Sequence, residues 1–120
     1  MLVQLAACLL AAPVPQAAPP TFRVVLLETA PGAYASPSSI NSKGEISGAL
    51  HRQVLPQLFR STAAYWDPDG ALIELAQVLS SASAINDSGV MVGSVSLGTI
   101  FDPRWYPVSW TLTEGVGRIP

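Results

Sequence analysis

Cysteine occurs once, at Cys8, and histidine once, at His51, in a chain of 120 residues. A lone thiol makes no intrachain disulfide, and one thiol with one imidazole cannot fill a structural zinc site, so disulfide scaffolds, zinc fingers and cysteine proteases are excluded. Charge is scarce as well: Asp, Glu, Lys and Arg make up 12% of the residues, and six basic against eight acidic side chains leave a net charge of −2. No basic cluster stands out, so the electrostatic footprint of a nucleic-acid binder is missing. No apolar run reaches the ~20 residues of a membrane-spanning helix. Beyond an apolar leader about 100 residues remain, room for one modest domain and not for a large multi-domain enzyme.

The leader, Leu2 to Ala12, is apolar throughout except for Gln4. Small residues and prolines follow it, which is the layout of an export signal with cleavage near Ala17 and Ala18, and hence of an extracytoplasmic, secreted or periplasmic protein. A positive n-region is absent, since Arg23 is the first ionisable side chain. Leu5-Ala6-Ala7-Cys8 also fits a lipobox, which makes lipid anchoring through Cys8 the alternative to a cleaved signal.

After the leader the chain repeats itself. Ser36 to Leu50 aligns without a gap on Ser81 to Val95, with identities at Ser36/Ser81, Ser38/Ser83, Ile40/Ile85, Asn41/Asn86, Gly44/Gly89 and Gly48/Gly93. A second element recurs with a slip of one residue: Ala64-Tyr65-Trp66 then Gly70 returns as Val108-Ser109-Trp110 then Gly115. In Ile-Asn-x-x-Gly the Asn side chain caps its own backbone two residues on and the Gly supplies φ > 0, so Asn41 to Gly44 and Asn86 to Gly89 read as hairpin turns. Gly48 and Gly93 then fall inside the following strand, where glycine marks a bulge or a close backbone approach. Asp67-Pro68-Asp69-Gly70 is a third turn, between a strand at Thr62 to Trp66 and one around Ala71 to Leu75. Leu72, Leu75 and Leu79 also have helical spacing, which leaves a short helical turn open there.

These spacings predict an all-β chain of antiparallel four-stranded units of about 45 residues, the dimension of a propeller blade. The organisation expected is a signal peptide over 1–18, a linker and first strand over 19–35, one unit over 36–80 and a second over 81–120. At this period the sequence stops before a third Asn turn, so the two and a half units read as propeller-like blades of an incomplete array, and the strand at Val108 to Thr111 is expected to keep an open edge, with Trp110, Leu112 and Ile119 uncovered.

The Asn-and-Gly core followed by an aromatic-Trp strand and a Gly turn resembles the HAF-repeat family of extracellular repeats, over Phe22 to the end. The core matches twice, at Asn41, Gly44 and Gly48 and at Asn86, Gly89 and Gly93, while Thr62-Ala63-Ala64 and Tyr106-Pro107-Val108 stand where the family has its His-Ala-Phe triplet. The resemblance implies export and a repetitive β architecture, and it brings no activity with it.

Candidate chemistry is thin. Asp67-x-Asp69-Gly70 resembles the opening of a calcium loop, but Ala71 and Leu79 stand where further oxygen ligands belong, so turn stabilisation is the reading and no metal or other cofactor is assigned. Asn86-Asp87 faces a counterpart, Asn41-Ser42-Lys43, that adds a cation. His51 has no spacing to a nucleophile elbow and reads as an exposed loop histidine. The two long loops, Arg52 to Arg60 and Leu97 to Pro107, occupy one place in the repeat. The second carries Phe101, Arg104, Trp105 and Tyr106, a mixture typical of binding surfaces, and Arg104, Trp105 and Tyr106 are the candidate ligand residues for a protein or carbohydrate. The same aromatics could instead fold back over the core. The function expected is an exported, non-catalytic β-repeat module for binding or assembly, with further repeats or self-association as partners. Its alternatives are a fragment of an exported propeller hydrolase and a lipid-anchored envelope protein.

Overall fold

A computed structural model describes residues 18–99, 101–112 and 115–118, the last four by their backbone alone. The expected leader, Cys8 and Ile119 lie outside these residues. Among them there is no helix. Eight strands form two four-stranded antiparallel meanders. The first sheet is β1 (Ala33–Ile40), β2 (Ile46–Leu55), β3 (Leu58–Trp66) and β4 (Leu72–Glu74); the second is β5 (Ser80–Ile85), β6 (Met91–Ser96), β7 (Trp105–Thr111) and β8 (Gly115–Arg118). Neither a closed barrel nor a propeller is formed by the described residues.

Three hairpins use one local solution. Asn41 Oδ1 accepts from the amides of Lys43 and Glu45 at 3.0 Å each, Asn86 Oδ1 from Ser88 and Val90 at 3.0 and 2.9 Å, and Asp67 Oδ1 from Asp69 and Ala71 at 2.9 Å each. Gly44 and Gly89 close their turns at φ of +83° and +79°, a region in which a β-carbon crowds the backbone. Past each Asn turn the ladder carries a bulge, between Pro37 and Ser39 in β1 and between Ala82 and Ala84 in β5. Gly48 and Gly93 stand opposite, where an added Cβ would land on the carbonyl oxygens of Ser36 and Ser81. The glycine spacing therefore encodes one turn and one close approach per unit.

Each sheet has one face built around a buried tryptophan. Trp66, Leu50 and Ala64 form the core of the first sheet's tryptophan face, and Leu27 and Ala30 from the segment before β1 pack on it. In the second sheet Trp110, Val108, Met91, Val95, Ile85 and Ala82 pack against the opposite face of the first sheet, through Ala63 and Tyr65. The tryptophan face of each unit is thus covered by whatever precedes it in the chain.

Polar bonds fix the stack in register. Asn41 Nδ2 donates to Asn86 O at 2.9 Å and the Ser42 amide to Asp87 Oδ1 at 2.8 Å, so each bond joins residues 45 apart. The Ala63 amide donates to Ser80 Oγ at 2.8 Å inside the interface. Glu45 accepts from Asn41 Nδ2 at 2.8 Å and from the Tyr65 hydroxyl at 2.6 Å, which ties the turn to β3.

The fourth strand lies where it was expected, since Leu72 to Leu79 contains strand β4 and no helix, so the helical alternative falls away. Three expectations change. Arg52 to Arg60 is no loop, because β2 and β3 continue as a paired hairpin to a turn at Pro56 and Gln57, with Gln57 at φ +64°. His51 accordingly sits on β2 and not in a loop. The strand at Val108 to Thr111 has no open edge, since β8 pairs with it, and Trp110 is fully buried rather than uncovered, because β7 turns its even-numbered residues toward the first sheet. Leu112 is exposed.

Candidate functional site

The extended β2–β3 hairpin and the connection between β6 and β7 project from corresponding places in the two units, and the space between them is a groove of about 620 Å³. Val54, Leu58 and Phe59 line it from the first unit and Leu97, Pro103 and Trp105 from the second, with Val78 and Leu79 of the inter-unit connection between them. Phe59, Leu97 and Trp105 remain about half exposed, at 48, 55 and 51%. Apolar surface of this kind gathered in one concavity, and not scattered singly, is what distinguishes a binding site from ordinary surface.

Local bonds hold both walls. Arg60 donates through its guanidinium to Gln77 O, which ties β3 to the connecting segment and occupies its charge on a carbonyl. On the other wall the Leu97 amide donates to Arg104 O at 2.9 Å, and Thr99 and Asp102 exchange backbone bonds at 3.1 and 3.2 Å, so the connection folds as a compact hairpin tip.

The three candidate ligand residues go three ways. Trp105 lines the groove. Arg104 lies outside it, exposed and 3.6 Å from the Asp102 carboxylate. Tyr106, next to Trp105 and across the pleat from it, packs on the inter-sheet core. Phe101 projects into solvent at 95% exposure. Sequence reasoning missed Phe59 and the aliphatic floor. Their signal was present, since both long connections hold exposed apolar residues at one place in the repeat.

His51 keeps other company. Its ring stacks on Tyr34 with centroids 4.7 Å apart, and its Nδ1 is 2.8 Å from Ser61 Oγ. Tyr34 in turn meets Phe59 edge-on at 5.7 Å, so this cluster buttresses one wall of the groove. Among the described residues no carboxylate is hydrogen-bonded to His51. Glu74 forms a two-bond pair with Arg52, the second bond at 3.0 Å, and the guanidinium holds its carboxyl below the usual range. The alternation of β2 puts Arg52 and His51 on opposite faces of the sheet. The Asp67 carboxylate that opens the calcium-like triplet is engaged by turn amides, and no group of three or more His, Cys, Asp or Glu side chains suited to a metal occurs among the described residues. Comparison with protein-family models, with curated proteins and with solved structures finds no match.

Proposed function

We propose that the chain is an exported, non-catalytic β-repeat module of the HAF-repeat kind, two propeller-like blades that bind a protein or carbohydrate ligand in the groove between their hairpin tips. The carrying observation is the groove itself: Phe59 and Trp105 are separated by the whole inter-unit connection in sequence, yet line one apolar concavity. An indole and a phenyl ring offer flat apolar faces that stack on a sugar ring or receive an apolar peptide side chain. Export is supported by the composition of the first 18 residues. Mass spectrometry of the mature protein should find an N-terminus near Ala18, and a chain keeping Met1 in the cytoplasm overturns that half of the reading.

Trp105 provides the test of binding. Trp66 and Trp110 are buried and Trp105 is half exposed, so collisional quenching of tryptophan fluorescence reports chiefly on the groove. A panel of oligosaccharides and apolar peptides should contain members that protect Trp105 from acrylamide. Protection should disappear in Phe59→Ala. A panel that leaves quenching unchanged speaks against the groove as a binding site. The hydrolase alternative has one feature in its favour, the Ser61–His51 hydrogen bond. With no carboxylate hydrogen-bonded to His51 among the described residues, the chain should show no ester hydrolysis that Ser61→Ala abolishes.

A further inference from the structure

The segment before β1 belongs to the repeat. Leu26-Leu27-Glu28-Thr29-Ala30 matches Leu72-Ile73-Glu74-Leu75-Ala76 at its first, third and fifth residues, and is apolar in both copies at the second. The match extends in part to position: Ala30 packs on the Trp66 cluster as its counterpart Ala76 packs on the Trp110 cluster, while Leu27 packs on the Trp66 cluster and its counterpart Ile73 stays 47% exposed. The segment thus fills the place of a preceding unit's fourth strand.

What it leaves open follows from that role. Phe22, Val24 and Leu26 alternate along its outward side at 88, 82 and 84% exposure. Val24 to Leu27 make no backbone hydrogen bond among the described residues, and the Glu28 amide, donating to Gly70 O at 2.8 Å, anchors the end. The face beneath is also only half covered. Ile40 is 65% exposed, whereas its repeat partner Ile85 is 8% exposed inside the inter-sheet core. A whole unit placed before the first one would bury Ile40 as the first unit buries Ile85.

The chain carries a strand of the kind that this segment fits. Leu72, Ile73 and Glu74 pair with Trp66, Tyr65 and Ala64, so Leu26, Leu27 and Glu28 call for an equivalent partner strand. Val108-Ser109-Trp110 in β7 is the second copy of that strand. Its present neighbour, Gly115–Arg118, holds glycine at two of its four positions, which weakens a strand interior. We propose that copies of this chain associate head to tail by strand exchange: Leu26–Glu28 of one copy displaces β8 and pairs with β7 of a second copy. Leu26 then stands opposite Trp110, Leu27 opposite Ser109 and Glu28 opposite Val108 of that second copy. The second unit of one molecule thereby seats on the Trp66 face of the next, covering Ile40. The contact joins two different surfaces, so it builds a ring where the rotation between copies closes and an open filament where it does not. The groove takes no part in this contact.

The test uses the full chain in a Cys8→Ser background carrying Leu27→Cys and Ser109→Cys. Mild oxidation should give covalently linked multiples on a non-reducing gel, and either cysteine alone should give none of that ladder. Native mass spectrometry of the unsubstituted chain should show discrete oligomers. Leu26→Lys should convert them to monomer with its β-sheet circular dichroism intact, and Ile40→Lys, on a different element, should do the same. Trp105→Ala should leave association untouched, which separates failure of the groove reading from failure of this one. A monomer at every concentration, or oligomers in which the cysteine pair stays reduced, overturns the proposal.

Discussion

The two tryptophans occupy equivalent positions in the two units and are equally buried, yet only one has a hydrogen bond. Trp66 Nε1 donates to Glu28 O at 2.9 Å, whereas Trp110 Nε1 has no partner among the described residues. The difference lies in what covers each. Trp66 lies under a single extended segment whose carbonyls are free to accept, while Trp110 lies against a complete sheet whose carbonyls are committed to ladders. Burial under a finished sheet gives more apolar contact and fewer polar options. The first unit shows the reverse balance: its indole is satisfied, but Ile40 remains in water while Ile85 is enclosed. Identical local sequence therefore yields different energetics according to the neighbour before it.

Replacing each tryptophan by alanine is the largest perturbation of this comparison, and denaturant melts should show losses of about 3–5 kcal/mol for both. Phenylalanine separates them, because Trp66→Phe strands the Glu28 carbonyl, costing about 1 kcal/mol more than its volume alone would, while Trp110→Phe removes an unsatisfied donor and should cost less. The two close approaches should instead behave alike: Gly48→Ala and Gly93→Ala each force a methyl group onto a backbone carbonyl, with a loss of about 1–3 kcal/mol measured by the same melts. A large inequality between them would mean that one bulge relaxes.

The turns should differ again, more weakly. Asn41 caps its own turn and also donates to Asn86 O and Glu45, whereas the bonds of Asn86 lie within its own turn apart from the carbonyl that Asn41 reaches. Asn41→Ala should therefore exceed Asn86→Ala by about 1 kcal/mol. Acid should act on this junction through Asp87, whose carboxyl the Ser42 amide holds below its ordinary value, and through Glu45, which the second unit does not match. Hydrogen bonds from Tyr65 and then Asn41 hold the Glu45 carboxyl below its ordinary value, and the repeat counterparts of Glu45 and Tyr65 are Val90 and Ser109. A carboxyl whose folded pKa is depressed contributes stability that is fully present above the unfolded pKa and is lost as pH falls through the folded one. Glu45→Gln should flatten the dependence of stability on pH in that acid range, the smallest of these effects.

Much of the architecture was legible because it is local. Asn41 and Gly44, Asp67 and Gly70, and Asn86 and Gly89 specify their hairpins within five residues, and the interior glycines announce the bulges. Less legible was everything set by pairing at a distance. Arg52 to Arg60 lacks strict alternation and looked like a loop, yet its backbone is held by cross-strand bonds that no single strand encodes. His51 was placed in solvent for the same reason. Trp105 and Tyr106 looked like one patch, but the pleat sends adjacent residues to opposite sides. The groove needed both units at once, and the repeat equivalence of the two connections was the one mark linking Phe59 to Trp105, 46 residues away.

The register bonds between residues 45 apart also bear on how such a chain could change length. Each unit supplies its elements in the same order, so an in-frame gain or loss of one whole period keeps the Asn turns and the tryptophan strands in phase. Excision of residues 36–80 would join Ala35 to Ser81 in phase and bring Leu27 and Ala30 over Trp110 in place of Trp66. A deletion one residue shorter or longer breaks that phase, and a slip of one residue turns a strand's opposite face to the core. In genetic terms the fold tolerates copying and cutting in steps of one repeat far better than it tolerates small insertions, and its length is the property most open to variation.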